Sequence, residues 1–271
     1  MQFVEEIHHQ EAAQAFGLHE GQVVVLIHSG SRGLGHQVCT DYVALMNRNM
    51  ARYGISLPDR QLACGPINSE EGRDYLAAMR AAANFAWANR QAILHFLRGA
   101  FRRIFGDSVQ LDLIYDVCHN IAKQECHEVE GRTRAVLVHR KGATRAFAPG
   151  HREIPASYRS VGQPVFIPGS MGTASWVLVG APGAMRETFG SVCHGAGRLM
   201  SRTAARRGHD VRQETRKLEE AGIRVRSETR DGILEELPEA YKDVDEVIEV
   251  VHCAGLARKV ARLRPMGVIK G

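Results

Sequence analysis

VVVLIHSGSRGLG (residues 23–35) joins five apolar, mostly β-branched residues to a histidine and a glycine-rich run. Val23–Ile27 reads as a short buried strand that delivers His28 to its C-terminal end. Ser29 to Gly35 holds three glycines and two serines and reads as loop, with a helix expected from Gln37 to Arg52. Strand, glycine turn and helix could open a doubly wound sheet, so the rest of the chain decides. Glu70–Phe105 reads as one long helix or two joined ones, with Leu76, Met79, Ala83, Ala86, Ile93, Leu97 and Phe101 on one stripe that Arg90 breaks. Leu111–Tyr115, Ala135–His139, Pro164–Ile167 and Trp176–Val179 read as strands, and residues 144–162 as an irregular excursion. A helix is expected from His194 to Arg206, then a charged stretch to Arg230. Asp243–Leu263 reads as an amphipathic helix interrupted at Gly255. No βαβ rhythm emerges, so the fold expected over residues 1–271 is α+β, a mixed α/β single domain.

At 271 residues the chain can bury a substantial core, and its 44% hydrophobic and 24% charged residues are those of an ordinary globular protein. No apolar run approaches the roughly 18 residues of a membrane helix. The N-terminus, MQFVEEIHHQ, has acids and histidines where a signal peptide has a basic patch and an apolar core. The expectation is a cytoplasmic protein with no membrane partner. A net charge of +5 suits a phosphate-rich partner without establishing one. None of the six cysteines forms a CxxC pair, so disulfides are not expected. Cys118-His119 and Cys126-His127 allow a zinc reading. Buried cysteines beside one functional histidine is the preferred one, because the spacing fits no common structural zinc site.

Three histidines lie in motifs suited to phosphate. In HSGSRGLG (28–35), glycines let backbone amides approach an anion and Arg32 can grip a phosphate twice; a plain glycine turn is equally open. It is neither a Walker A loop nor a dinucleotide fingerprint. In CHNIA (118–122), His119 gains weight only from the other two histidines. In CHGAGR (193–198), glycines would open a helix whose free amides favour anions, with Arg198 and Arg202 on one face. An imidazole there can attack phosphorus and form a phosphoramidate; taken alone, the motif reads rather as a plain helix start with a structural histidine. HRKGATRAF (139–147) carries Arg140, Lys141 and Arg145, either a solvated basic hairpin or an RNA or triphosphate contact. IPGSMGTAS (167–175) combines glycines with Ser170, Thr173 and Ser175, either a neutral phosphate cradle or a simple loop.

Together with AYKDVDEV (240–247) and the terminal Lys-Gly pair (270–271), these motifs stand in the order in which they occur in the RtcB family of RNA ligases, which the chain resembles along its whole length. The resemblance implies an RNA ligase that joins an RNA 3′-phosphate or 2′,3′-cyclic phosphate to a 5′-hydroxyl, using GTP and Mn²⁺. It implies that His194 carries GMP, that His28 and His119 bind metal, and that Glu5 contacts the guanine. It places Asn120, Pro168, Gly169, Ser170, Met171, Ser175, Gly195, Ala196, Gly197 and Lys270 around the guanylate. The implied partners are RNA (tRNA halves or broken RNA) and an archease-type activator.

The chain also departs from that pattern. The family's DxGCGM-type motif, which supplies an aspartate and a cysteine to the metals, is absent, so the match reads as the C-terminal two-thirds of the family domain, truncated at the N-terminus. Gln2 stands where a histidine ligand is expected, at a terminus read as fraying. The alternatives are a fragment or degenerate homologue that binds guanine nucleotide or RNA without ligating, and a metal-dependent phosphohydrolase.

Overall fold

Apolar residues from both ends of the chain and from its middle close one antiparallel sheet. The structure, a computed structural model, describes residues 1–206 and 209–270; Gly271 of the terminal Lys-Gly pair lies outside them. The first elements are β1 (Gln2–Ile7), α1 (Gln10–Phe16) and β2 (Val23–Val24). Two long helices follow, α2 (Arg32–Asn49) and α3 (Glu70–Phe105). Then come β3 (Asn120–Val129), β4 (Arg132–Lys141), β5 (Ala143–Arg145), β6 (Pro164–Ile167), β7 (Ser175–Gly180), α4 (Pro182–Glu187) and β8 (Ser191–Cys193). The last third holds α5 (Arg202–Ala205), α6 (Val211–Glu220), β9 (Arg224–Ser227), α7 (Arg230–Leu234), α8 (Val244–Cys253), β10 (Ala257–Pro265) and β11 (Gly267–Lys270). The α+β class expected from the sequence is what the structure has.

The chain forms two compact units, residues 1–26 with 117–271, and residues 27–116. The first unit is built on a five-stranded antiparallel sheet in the order β2-β1-β10-β7-β6. All six residues of β7 are buried, its apolar run Trp176–Val179 and the polar Ser175 alike. Val165, Ile167, Trp176, Leu178, Val244, Ile248 and Val251 form one core cluster, so α8 packs on β6 and β7. β3 and β4, ten residues each, make a hairpin closed by Glu130 and Gly131. Both turn residues have positive φ (53° and 71°), the twist-matched hairpin turn. β5 pairs with β8, and β9 runs parallel to β11.

In the 27–116 unit, α3 is a single unbroken helix over the residues expected, started by Ser69, whose hydroxyl accepts from the Gly72 amide at 3.0 Å. Arg90 breaks its apolar stripe for a reason. The guanidinium pairs with Asp116 at 2.8 Å and donates to the Ser29 carbonyl at 3.1 Å, while Asn89 donates to the Ser29 hydroxyl at 2.9 Å. The glycine-rich segment after His28 is thereby moored to α3.

Several expected elements differ. Only Val23–Val24 of the expected strand is paired, because β1 offers partners only at Gln2 and Phe3; Val23 is exposed rather than buried. α2 begins at Arg32, not Gln37, so Gly33 and Gly35 are helical; a Cβ at Gly35 would collide with the Ser31 hydroxyl. It ends at Asn49, and Arg52 falls in the 3₁₀ turn Met50–Tyr53. Leu111–Tyr115 is not a strand. Asp243–Leu263 is not one helix: α8 stops at Cys253, Gly255 turns the chain at φ 70°, and β10 follows. The charged stretch to Arg230 contains α6 and β9. Gln2 does not fray. It is paired to Pro265 and Val24 and is buried.

Candidate functional site

The β5–β8 pairing sets Ala143 opposite Cys193, so the residues just beyond, Gly142 and His194, meet. Gly142 has φ 69°, and its open face lies against the Nδ1–Cε1 edge of His194, where a Cβ would sit 3.4 Å from Cε1. The Gly142 amide donates to the His119 carbonyl at 3.1 Å and to Asn120 Oδ1 at 3.3 Å. His119 then stacks on His194, with ring centroids 4.4 Å apart and planes 22° apart. Two histidines separated by 74 residues of sequence are thus brought face to face by one glycine.

His194 is not at a helix start. The expected helix from His194 to Arg206 shrinks to the four residues of α5, and CHGAGR is a loop leaving β8. Strand pairing at Ser191–Cys193 and then the bridge between Arg198 and Tyr241 hold this stretch, so no helix dipole acts on His194. The loop is tied further by Lys242 N–H to the Gly197 carbonyl (3.0 Å) and Leu199 N–H to the Ala240 carbonyl (2.8 Å). Gly197 takes φ 78°, a conformation only glycine adopts freely. Arg198 faces Tyr241, and the expected shared face with Arg202 lies outside the described side chains. It donates to the Tyr241 hydroxyl at 2.8 Å and to the Glu235 carbonyl at 2.8 Å. Tyr241 in turn donates to Glu236 at 2.6 Å, and Lys270 pairs with Glu236 at 3.3 Å. Burial, together with the Glu236 carboxylate, pushes the Tyr241 hydroxyl up to about 12, so it stays a donor. This cluster links CHGAGR, AYKDVDEV and Lys270.

The 168–175 loop lies beside CHGAGR, for the Pro168 carbonyl is the nearest atom to the open face of Gly195. Its amides are not open for an anion at two positions. Gly169 N–H donates to Ser175 Oγ at 3.0 Å and Ser170 N–H to Thr173 Oγ1 at 2.8 Å. Met171 is buried in a separate cluster with Leu218 and Ile223. Ser175 also accepts from Gln2 Nε2 at 2.7 Å, which ties the loop to β1. Glu5, one strand face away, is engaged by Arg262 and by Arg264 at 3.9 Å; Arg262 also grips Asp245, which accepts from Trp176 Nε1 at 2.7 Å.

His28 is exposed and belongs to the 27–116 unit. Among the described residues no group of three or more His, Cys, Asp or Glu side chains is placed to hold a metal ion. Gln2, where an imidazole ligand is expected, spends its Nε2 on Ser175 and leaves Oε1 buried and unpartnered, a neutral acceptor only. The donor set among the described residues therefore does not fit a complete metal cage.

HRKGATRAF is not a solvated basic hairpin. Lys141 is exposed, but Arg145 bonds Glu153 at 2.6 Å and Gln163 at 3.0 Å, and Arg140 is buried. Cys126 is exposed and its neighbour His127 buried, the reverse of the preferred reading of that pair. Glu125 and His127 are two apart on a strand and so share a face, where Glu125 takes both Arg140 (2.7 and 2.9 Å) and His127 Nε2 (2.9 Å). Burial works against the Glu125 charge, but the hydrogen bonds and charges of Arg140 and His127 outweigh it and hold the carboxyl below its usual range. The folded state thus binds fewer protons there than the unfolded state. This contribution is full above the unfolded value of about 4.3 and is lost as pH falls through the folded one. Urea melts of the wild type and Glu125→Gln from neutral to acidic pH should show their stability difference shrinking below that value; a constant difference would contradict it.

A family model described as tRNA-splicing ligase RtcB matches residues 1–271. Similar proteins include those named tRNA-splicing ligase RtcB from Thermococcus kodakarensis (56% identical over 274 residues), Archaeoglobus fulgidus (56% over 277) and Methanococcus maripaludis (52% over 274). In each, all of this chain is covered, and the chain spans 57% of the relative's length.

Proposed function

Because the chain belongs to the tRNA-splicing ligase RtcB family, we propose that it is the guanylate-carrying part of an RNA ligase. The supporting observation is the placement of His194: at the end of a strand, stacked on His119, with its Nδ1 edge against Gly142. That leaves Nε2 as the attacking atom. It forms a bond to the α-phosphorus of GTP as the bond to the bridging oxygen breaks and pyrophosphate leaves. The resulting P–N bond is labile enough to pass GMP to an RNA 3′-phosphate. The RNA 5′-hydroxyl then attacks the 3′-phosphorus, GMP leaves, and a phosphodiester closes the strand. An RNA with a 2′,3′-cyclic phosphate enters the same path after hydrolysis to the 3′-phosphate.

In this reading Glu5 accepts from the guanine edge, and Lys270, Asn120 and the 168–171, Ser175 and 195–197 segments enclose the nucleotide. Mn²⁺ is the proposed ion and His28 and His119 its ligands from this chain; when bound it would neutralise phosphoryl charge. Its remaining donors are proposed to lie outside these 271 residues, in the part of the relatives' length the chain does not span. RNA, in the form of tRNA halves or broken strands, is the proposed substrate, and an archease-type protein the proposed activator.

The incomplete metal cage among the described residues favours a second reading, nucleotide or RNA binding without ligation. α-labelled GTP separates the two. Incubated with Mn²⁺ and the remainder of a relative's domain, the chain should take up label that is stable to base and labile to acid, then ligate a 3′-phosphate RNA to a 5′-hydroxyl RNA. Binding of GMP with no label and no ligated product would establish the second reading instead.

A further inference from the structure

The reaction proposed above uses none of three buried polar side chains that lie close to His194 along two strands. Arg140, on β4 two residues before Gly142, is 2% exposed. Glu125 and His127, each 4% exposed, complete the cluster. Arg140 also crosses to the start of β8 and the turn before it: Nε donates to Ser191 Oγ at 2.9 Å and Nη2 to the Phe189 carbonyl at 3.0 Å. Ser191 is three residues before His194.

That segment needs holding. β8 and β5 are three residues each, too short to defend their register alone. Phe189 has φ 50° and Gly190 φ 62°. The left-handed conformation is costly for a phenylalanine and persists only where the surroundings over-determine it. The buried cluster does so twice. Arg140 holds the Phe189 backbone, and the His127 ring packs on the Phe189 ring at 5.3 Å. A guanidinium can serve Glu125, Ser191 and Phe189 together because its donors are fixed in a planar fork, which an ammonium cannot reproduce.

We propose that Arg140 is a positioning residue for His194: oriented by Glu125, it fixes the Phe189–Ser191 segment and so the placement in which β8 presents His194 to His119 and Gly142. Arg140 touches neither the nucleotide nor the reacting atoms. The inference rests on His194 being the guanylate acceptor only for its kinetic consequence; the geometric one stands apart from it.

The test uses the full chain with Arg140→Lys and Ser191→Ala. Ser191→Ala removes one acceptor on the β8 side and leaves the buried ion pair intact, so it decides the matter if Arg140→Lys fails to fold. Two readouts are taken on variants whose melting remains cooperative: the imidazole NMR signals of His119 and His194, and the rate constant and KM for labelling by GTP. The expected result is that both imidazoles lose their mutual ring-current shift, and that labelling slows about tenfold or more with KM unchanged, as misplacement of a reacting group does. If the wild type, supplied with Mn²⁺ and the remainder of a relative's domain, takes no label, the guanylate reading fails while the imidazole signals still decide the positioning role. Wild-type imidazole signals in a folded Ser191→Ala variant would overturn the proposal, as would a loss of rate matched by an equal rise in KM.

Discussion

Replacing His194 with alanine should reduce transfer of label from α-labelled GTP to background while GTP binding persists. The imidazole is the only group on this chain proposed to bond to phosphorus, so no partial activity is expected from the cradle around it. The variant should fold. His194 sits in a loop between β8 and the Arg198–Tyr241 bridge, and neither of those pairings uses its side chain. The stack on His119 is lost, but His119 remains anchored through its carbonyl to Gly142. Labelling of His194→Ala at the wild-type rate would show that another nucleophile carries the nucleotide.

Gly169→Ala should have the second largest effect, through shape rather than chemistry. A Cβ at that position would overlap the Ala174 carbonyl and lie 2.7 Å from Thr173 Oγ1 and 2.9 Å from the Ala174 carbonyl carbon. Two of these atoms are backbone and cannot step aside. The loop must open, which strains the Gly169–Ser175 hydrogen bond and with it the Ser175–Gln2 tie to β1. Overpacking of this kind costs about 1–3 kcal/mol, and a factor of ten in affinity is about 1.4 kcal/mol. The expected outcome is a lower melting temperature and GTP binding weakened about tenfold or more. Gly33→Ala is the contrast. Nothing lies within 4 Å of its open face, and it sits in α2, where alanine is favoured over glycine by about 1 kcal/mol. Equal destabilisation by both substitutions would contradict the steric reasoning.

What the sequence makes legible here follows the kind of interaction that decides each element. α3 is legible because its apolar residues recur at helical spacing and no distant partner competes. β6 and β7 are legible as short apolar runs, and they form one largely buried side of the sheet, with β6 at its edge. β3 is hidden because its inward face carries Glu125 and His127, which look like solvent-facing residues until Arg140 arrives from β4. β10 is hidden for a related reason: its arginines continue the polar face of α8, and only pairing with β1 and β7 makes it a strand. The glycines of CHGAGR resemble a helix opening, yet the β5–β8 ladder upstream and Tyr241 downstream pull them into a loop.

The site shows the same division. His119 and His194 stand out through their motifs, and the structure stacks them. Gly142, which makes that stack possible, looked like a hairpin residue because its role is defined by a ring 52 positions away. In the sequence Arg140 reads as one basic residue among three, solvated or facing RNA or a triphosphate. Only burial separates it from Lys141 beside it.

The most direct measurement is the location of the nucleotide on the labelled chain. Trypsin cuts after Arg186 and Arg198, so His194 is released in the peptide ETFGSVCHGAGR (187–198). After labelling with GTP, mass spectrometry under mildly basic conditions should find GMP on that peptide, on the histidine, and the modification should vanish on brief acid treatment. GMP on any other peptide, or an acid-stable adduct on this one, would contradict His194 as the guanylate carrier.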